Sequence, residues 1–242
     1  MRQSTVVGCC GFPGAMARYW ERFRVVEVQK TFYRPPRPQT AERWRREAPQ
    51  DGEFALKAWQ LITHEPSSPT YRKAGKDFDP ARKDRYGFFR DSEEVWEAWL
   101  TTRRIAAALQ ARVILFQCPA RFTPTEQNIR NLTGFFSRVR GAGFRLAWEP
   151  RGQWPEDTVR ELCRKFDLVH CVDPFTAQPL WGDFCYFRLH GLGGYRYRYT
   201  DEDLAGLRAR IPAGKRCYLM FNNVFMDEDA RRFQALLDAD GE

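Results

Sequence analysis

Ionisable side chains stand at or near the ends of several short apolar runs in this sequence. Glu27 lies in a run where polar and apolar residues alternate, and Glu149 closes a later run. His64 and His190 occupy similar places. Carboxylates and imidazoles are the groups that hold a divalent metal ion or act as general acid and base. We therefore predict Glu27, His64, Glu149 and His190 as catalytic residues, and the same four as candidate metal ligands.

Glu27 and Lys57 each have a structural alternative to a catalytic role. With a period of two, Glu27, Gln29 and Thr31 share one strand face. A carboxylate that faces a protein interior is costly without a partner, so a buried Glu–Arg pair explains Glu27 as well as catalysis does. Lys57 either supplies an amine for a Schiff base, as in aldolases, or neutralises Glu27 or Glu149. We favour the neutralising role.

Basic and amide side chains near the same run ends suit an anionic ligand. Arg188 and His190 alternate with apolar residues and share one face. Glu149 and Arg151 also share strand parity, so they form a pair or jointly hold a substrate. Asp173 contacts substrate or caps the turn that follows it. The predicted substrate-binding and anion-binding residues are Lys57, Gln117, Arg151, Asp173, Arg188, Tyr195, Tyr197, Asn222 and Asn223.

The runs that carry these residues recur eight times, most with helix-like stretches between them. Such a βα rhythm is typical of a closed parallel barrel, in which the C-terminal ends of the strands meet on one face. The candidate residues then gather on that face. We expect an α/β fold, a somewhat irregular TIM-type barrel formed by one domain over residues 1–242. The predicted strands are 5–10, 25–31, 54–62, 113–118, 144–149, 168–173, 184–190 and 217–222.

Residues 65–92 interrupt this rhythm after the third strand. The segment is rich in Pro, Gly and charge and is too long for an ordinary barrel loop. We predict a lid-like insertion, with a disordered insertion as the alternative. Tyr71, Tyr86, Phe88 and Phe89 argue for packing. Helical spacing elsewhere predicts helices at 38–46, 92–109, 125–140, 155–166, 201–210 and 227–239.

The charge balance favours anionic partners. The chain has 39 Lys and Arg against 31 Asp and Glu, a formal net charge of +8. A basic surface suits nucleic acid or a phosphorylated metabolite. Residues 193–199 interleave tyrosine with arginine, a composition that stacks bases and grips phosphates or simply packs.

Other bulk features indicate the compartment. No run reaches the roughly 18 apolar residues of a membrane span. The N-terminus also lacks a signal-peptide layout. We expect a cytoplasmic protein without membrane contact. The seven cysteines include no CxxC pair and are interpreted as buried, reduced thiols.

Motifs along nearly the whole chain resemble one family in order and spacing. They are FRVVEV at 23–28, TFYR at 31–34, ITH at 62–64, FQCP at 116–119, WEPR at 148–151, RLHG at 188–191 and FNN at 221–223. The chain resembles the YecE-like family, domain of unknown function 72. SSPT at 67–70 and YGFF at 86–89 resemble its archaeal-type branch, whereas CCGF at 9–12 departs from the Ser-Gly-Trp-type turn of many relatives.

The resemblance implies an irregular TIM-type barrel and no defined activity. The fold has been likened to those of endonuclease IV and sugar isomerases, which are metal-dependent barrels. Our leading hypothesis is a phosphodiester hydrolase, acting on nucleic acid with the help of one divalent metal ion. The alternatives are a metal-free lyase or isomerase acting on a small phosphorylated or carboxylated metabolite, and a non-catalytic barrel that binds nucleic acid.

Overall fold

Eight parallel strands close a barrel in chain order, which confirms the predicted TIM-type fold. The computed structural model describes residues 5–74 and 77–239. Each strand pairs with the next, and the last returns to pair with the first. The strands are β1 (Thr5–Cys10), β2 (Val25–Val28), β3 (Glu53–Lys57), β4 (Val113–Gln117), β5 (Arg145–Glu149), β6 (Leu168–Val172), β7 (Cys185–Leu189) and β8 (Cys217–Phe221).

Helices follow every strand except β6, whose connection to β7 over residues 173–184 contains no helix. Ser92 and Thr125 cap two of them, since their hydroxyls accept the backbone N–H groups of Val95 and Asn128 at 3.3 and 3.2 Å. No helix within the described ranges is long and apolar enough to cross a membrane. The helices are α1 (Met16–Arg22), α2 (Lys30–Tyr33), α3 (Pro38–Glu47), α4 (Gln60–Thr63), α5 (Glu93–Leu109), α6 (Glu126–Val139), α7 (Glu156–Phe166), α8 (Asp201–Ala209) and α9 (Met226–Asp238).

The second and third strands end earlier than predicted. β2 stops at Val28 and β3 at Lys57, and the one-turn helices α2 and α4 follow. A short apolar run reads alike as a strand or as a buried helical turn, so periodicity did not separate them. Thr31 consequently lies on a helical turn, where its hydroxyl contacts the carbonyl oxygens of Val28 and Lys57, each at 2.7 Å.

The barrel interior has an apolar lower layer and a polar upper layer. Side chains alternate along each strand, so inward-facing residues recur at every second position. The lower layer includes Val25, Ala55, Leu115, Ala147 and Tyr186. Two residues further along the same five strands, the upper layer contains Glu27, Lys57, Gln117, Glu149 and Arg188. All seven cysteines are free and buried, as predicted.

The insertion at 65–92 packs against the side of the barrel. Its described residues include two short 3-10 helices, Pro69–Lys73 and Pro80–Arg85. Tyr71, Tyr86, Phe88 and Phe89 are buried, and the Tyr71 hydroxyl donates to the His64 carbonyl oxygen at 2.7 Å. The four aromatic side chains therefore provide the packing that the sequence indicated. Residues 75–76 of the predicted lid lie outside the described residues.

Gly87 allows this insertion to approach His64 closely. Its φ is +77°, and an added Cβ would lie 2.2 Å from the His64 carbonyl oxygen. Gly214 has a similar φ of +73°, but a Cβ there meets nothing within 4 Å.

Gly87→Ala should lower the free energy of unfolding by about 1–3 kcal/mol more than Gly214→Ala, because only the first adds a steric clash. Urea denaturation measures the free energy of unfolding of both variants. Equal losses in the two variants would contradict the close packing of Gly87 against His64.

Candidate functional site

Arg188 lies at the centre of the polar layer and is completely buried. Its Nε and Nη2 donate to the two oxygens of Glu27 at 3.1 and 3.0 Å, and its Nη1 donates to Glu149 Oε2 at 2.7 Å. Nη2 also contacts Cys10 Sγ at 3.7 Å, and Nη1 contacts Gln117 Oε1 at 3.4 Å. All three nitrogens are therefore occupied by protein groups. This corrects the predicted anion-binding role, since Arg188 is not open to a ligand.

Glu27 serves as the buried partner of Arg188. It has no exposed surface, and its Oε2 also accepts the Tyr186 hydroxyl at 2.9 Å. A buried carboxylate is tolerated when a cation and further hydrogen bonds satisfy it, and both are present here. The structure therefore places Glu27 in the Glu–Arg pair that the sequence allowed, and not in an accessible catalytic position.

Glu149 links Arg188 to Arg151. Its Oε1 accepts from Arg151 Nε at 2.9 Å, so the pair expected from strand parity is present. Burial alone would raise the pKa of Glu149, but Arg188 and Arg151 outweigh it and lower the pKa to about 2. Glu149 is therefore an ionised acceptor at neutral pH.

His190 is held between two arginines and Asp173. Its Nε2 contacts Arg188 Nη1 at 3.2 Å and also Arg151 Nη2, and both arginines are donors. Nε2 is thus the acceptor, which leaves the Nδ1 proton facing Asp173 Oδ2 at 3.5 Å. Asp173 also accepts the backbone N–H groups of His190 and Phe175, at 3.1 and 3.0 Å. Asp173 therefore caps its turn and positions His190.

A pocket of about 470 Å³ opens at the C-terminal ends of the strands, and we call it the mouth pocket. Its volume suits a small molecule. Glu149 and Asp173 instead line a neighbouring pocket, and the buried Glu27 and Arg188 line neither of the two. The predicted site residues that line the mouth pocket are Lys57, His64, Gln117, Arg151, His190, Tyr195, Asn222 and Asn223.

The two tyrosines predicted to bind ligand differ in placement. Tyr195 lines the rim of the mouth pocket and is 60% exposed. Tyr197 packs against Tyr199 with ring centroids 5.6 Å apart, and its hydroxyl donates to Asp203 at 2.7 Å. This corrects the prediction for Tyr197, whose polar end is used to anchor its loop to the start of α8.

The residues that line the mouth pocket and that we did not predict include Gln29, Phe32, Tyr33 and Thr70. Gln29 shares strand parity with Glu27, which was a usable signal, and its Nε2 donates to Asn222 Oδ1 at 2.6 Å. The other three lie on α2 and the insertion. Their approach to the pocket depends on the unexpected helical turn and on how the insertion packs.

Lys57 has no carboxylate ion-pair partner within the described part of the chain. Its Nζ lies 3.7 Å from the centroid of the Phe32 ring. Burial, followed by the nearby charge of Arg188, lowers the pKa of Lys57 to about 7. This corrects the neutralising role that we favoured, because Arg188 and not Lys57 neutralises Glu27 and Glu149.

His64 forms the wall of the pocket beside Lys57. Its Nδ1 contacts Thr63 Oγ1 at 2.8 Å, and its ring packs on Phe32 with centroids 4.9 Å apart. Burial, and then the charges of Lys57 and Arg151, lower the pKa of His64 to about 3. His64 is therefore a neutral imidazole at physiological pH.

The four candidate metal ligands do not converge. Nowhere in 5–74 or 77–239 do three His, Cys, Asp or Glu side chains come together as a metal-binding group. Glu27 and Glu149 turn their oxygens to arginines, and His64 lies apart from His190 across the pocket. The donor set therefore does not fit the divalent metal that we expected.

The family assignment follows from the sequence itself. Residues 13–242 match the family model described as "Protein of unknown function DUF72". The chain belongs to this family. A DUF72 family protein from Enterococcus faecalis V583 has a similar structure, with a TM-score of 0.74, 19% identity and 97% of each chain covered. The resemblance seen in the sequence is thereby confirmed, and placement of this DUF72 chain on the archaeal-type branch stays a prediction.

Two other solved structures share the barrel. A xylose isomerase domain containing protein from Salmonella typhimurium LT2 has a TM-score of 0.57 and 13% identity, with 95% of this chain and 93% of that chain covered. SacUVDE has a TM-score of 0.60 and 7% identity, with 93% and 85% covered. At these identities the similarity shows the fold alone. No curated protein matches this DUF72 chain in sequence.

Removing the Arg188 guanidinium tests whether it holds this network together. Arg188→Met leaves two buried carboxylates without their shared cation and should lower the free energy of unfolding by about 3–5 kcal/mol. Arg130→Met is the control, because Arg130 and Glu126 form an exposed pair on α6 worth about 0.5 kcal/mol or less. Chemical denaturation compares the two variants. A loss for Arg188→Met as small as that of the control would contradict the arrangement.

Proposed function

We propose that this DUF72 protein is a metal-free lyase or isomerase that forms an imine between Lys57 and a small carbonyl compound bearing a carboxylate or phosphate. The observation that carries this proposal is the state of Lys57. Its amine lines the mouth pocket, lacks an ion-pair partner among the described residues and has a pKa of about 7. An amine with a pKa near 7 is neutral in a substantial fraction of molecules at physiological pH, and the neutral amine is a nucleophile for carbonyl carbon.

The charge balance of the site supports a neutral Lys57. Glu27 and Glu149 contribute two negative charges, and Arg188 and Arg151 contribute two positive charges in direct contact with them. The carboxylates therefore need no further cation. A protonated Lys57 would add unbalanced positive charge in a buried position, which burial penalises.

Arg151 provides the place for the anionic end of the substrate. Its Nε and Nη2 are engaged by Glu149 and His190, but Nη1 makes no hydrogen bond with any described residue. The side chain is 38% exposed and lines the mouth pocket. Contact with Glu149 and His190 fixes the guanidinium plane, and a fixed guanidinium binds carboxylate or phosphate well.

The proposed chemistry needs Lys57 and water. The neutral Nζ of Lys57 adds to the substrate carbonyl carbon, and loss of water gives the imine, which is protonated on nitrogen. The protonated imine accepts the electron pair of an adjacent C–H or C–C bond as that bond breaks, and the proton released from carbon, or from the hydroxyl of the cleaved fragment, passes to water. The resulting enamine takes a proton from water on carbon, and hydrolysis of the imine then releases the carbonyl product and restores Lys57. His64 stays neutral, and its Nε2 has no hydrogen-bond partner among the described residues. The neutral imidazole of His64 can therefore form a hydrogen bond with a substrate oxygen.

A nucleic-acid ligand is the second candidate, as hydrolase substrate or simply as bound partner. The observation that favours it is the pair formed at the rim, where the guanidinium of Arg196 lies 5.7 Å from the centroid of the exposed Tyr195 ring. The net charge of +8 agrees with it. Tight binding of a single-stranded oligonucleotide with a steep salt dependence would support this candidate.

Reductive trapping tests the role of Lys57. Incubation with pyruvate and cyanoborohydride should convert the imine to a stable adduct, which peptide mass spectrometry locates on Lys57. The rate should rise with pH through a midpoint near 7, because only the neutral amine reacts. Lys57→Met should form no adduct in the pocket, whereas Lys30→Met, which removes an exposed lysine, should react like wild type. Labelling spread evenly over exposed lysines, with none on Lys57, would contradict the proposal.

A further inference from the structure

Most of the large apolar side chains that this protein exposes lie beside the mouth pocket. Among the described residues, six large apolar or aromatic side chains are exposed, and two of them, Leu100 and Trp181, lie on α5 and in the β6–β7 connection. The other four lie in the loops that follow β7 and β8, namely Leu192, Tyr195, Val224 and Phe225. A single exposed apolar residue is ordinary, but a group of them beside a pocket is typical of a ligand-binding surface.

The loops after β7 and β8 are joined where they border the pocket. The Val224 backbone N–H donates to the Tyr195 carbonyl oxygen at 2.7 Å. Both side chains line the mouth pocket, and Val224 is 59% exposed. Met226 lines the pocket next to them. We call Tyr195, Val224 and Met226 the apolar rim. It presents apolar surface both to solvent and to the pocket that contains Lys57.

The charges beside the apolar rim are largely compensated within the protein. The three acidic side chains that follow Met226 are each paired with an arginine, in the pairs Arg22–Asp227, Arg198–Glu228 and Arg232–Asp229. Arg196 is exposed, so water solvates its charge, and its guanidinium lies 5.7 Å from the centroid of the Tyr195 ring. The rim therefore offers a ligand apolar contact in the first place.

The apolar rim lies across the barrel from the groups of the proposed reaction. Lys57 ends β3 and Arg151 follows β5, so β4 is the strand midway between them. The strand that leads into Val224 is β8, which is four strands from β4 in the closed ring and therefore opposite it. The pocket between the two sides has a volume of about 470 Å³, which suits a ligand larger than pyruvate. A ligand held at Lys57 and Arg151 can thus direct its side chain toward the rim.

We propose that the apolar rim binds the side chain of the substrate, so that the substrate class is a 2-oxo acid, or the corresponding oxo phosphate, with an alkyl chain of several carbons. The anionic group binds Arg151, the carbonyl carbon faces Lys57, and the alkyl chain covers Val224 and Tyr195. This inference rests on the proposed function for the first two contacts. The third rests on the exposed apolar side chains, because covering them removes apolar surface from water.

Two 2-oxo acids that differ only in chain length, pyruvate and 2-oxooctanoate, test the apolar rim. On wild-type protein, the concentration that half-saturates reductive trapping at Lys57 should be lower for 2-oxooctanoate by roughly tenfold or more, because its chain buries more apolar surface. Val224→Asp should reduce this ratio by roughly threefold or more, since a carboxylate there loses water when the chain covers it. Leu100→Asp adds the same charge at a residue on α5 that is 52% exposed, and it should keep the wild-type ratio.

The outcomes separate this inference from the proposed function. Absence of an adduct on Lys57 with both acids would overturn the proposed function and the apolar rim together. Adducts with both acids at equal half-saturating concentrations would overturn the rim and leave the imine chemistry intact. A wild-type ratio in Val224→Asp would also overturn the rim, since another surface would then bind the chain. The comparison of the two acids on wild-type protein decides the matter even if the variant does not fold.

Discussion

The bidentate contact between Arg188 and Glu27, extended to Glu149, is the interaction on which the rest of the site depends. Two carboxylates inside a barrel are unfavourable unless a cation and hydrogen bonds satisfy them. Arginine suits this task because its planar fork remains charged and reaches both groups at once. The contacts at 3.0 and 2.7 Å fix Glu149, which in turn orients Arg151, and Arg151 contacts His190. One buried cation thus determines where the other polar groups point.

This arrangement changes the role of the remaining cation. Because two arginines balance the two carboxylates, Lys57 is left beside the Phe32 ring without a counter-ion among the described residues. The early end of β2 is essential here, since α2 brings Phe32 over the amine. The early end of β3 has a similar effect, because α4 places His64 on the pocket wall. The same barrel therefore contains a saturated ionic network and, next to it, a basic amine open to a small ligand.

The sequence predicted what depends on local pattern. The number of strands follows from the eight apolar runs. The inward direction of the polar residues on β7 and the contact between Glu149 and Arg151 follow from the alternation of side chains along a single strand. The choice of partner for each inward-facing ion does not, because Arg188 and Glu27 are 161 residues apart and meet only when the barrel closes. Tyr197 shows a second limit, since the direction of a side chain in a loop depends on contacts such as that with Asp203. The helical turns α2 and α4 show a third limit. The sequence did not distinguish them from strand, because a short apolar run has no distinctive period.

The most direct test of this account is the titration of the Lys57 amine itself. NMR of protein labelled with ¹⁵N-lysine follows the Nζ signal with pH, and Lys57→Met assigns that signal. We predict a midpoint near 7, since burial and the neighbouring arginine charge disfavour the ammonium form. A midpoint near the ordinary lysine value of about 10.4 would contradict it, because Lys57 would then be a charged group at neutral pH and not a nucleophile.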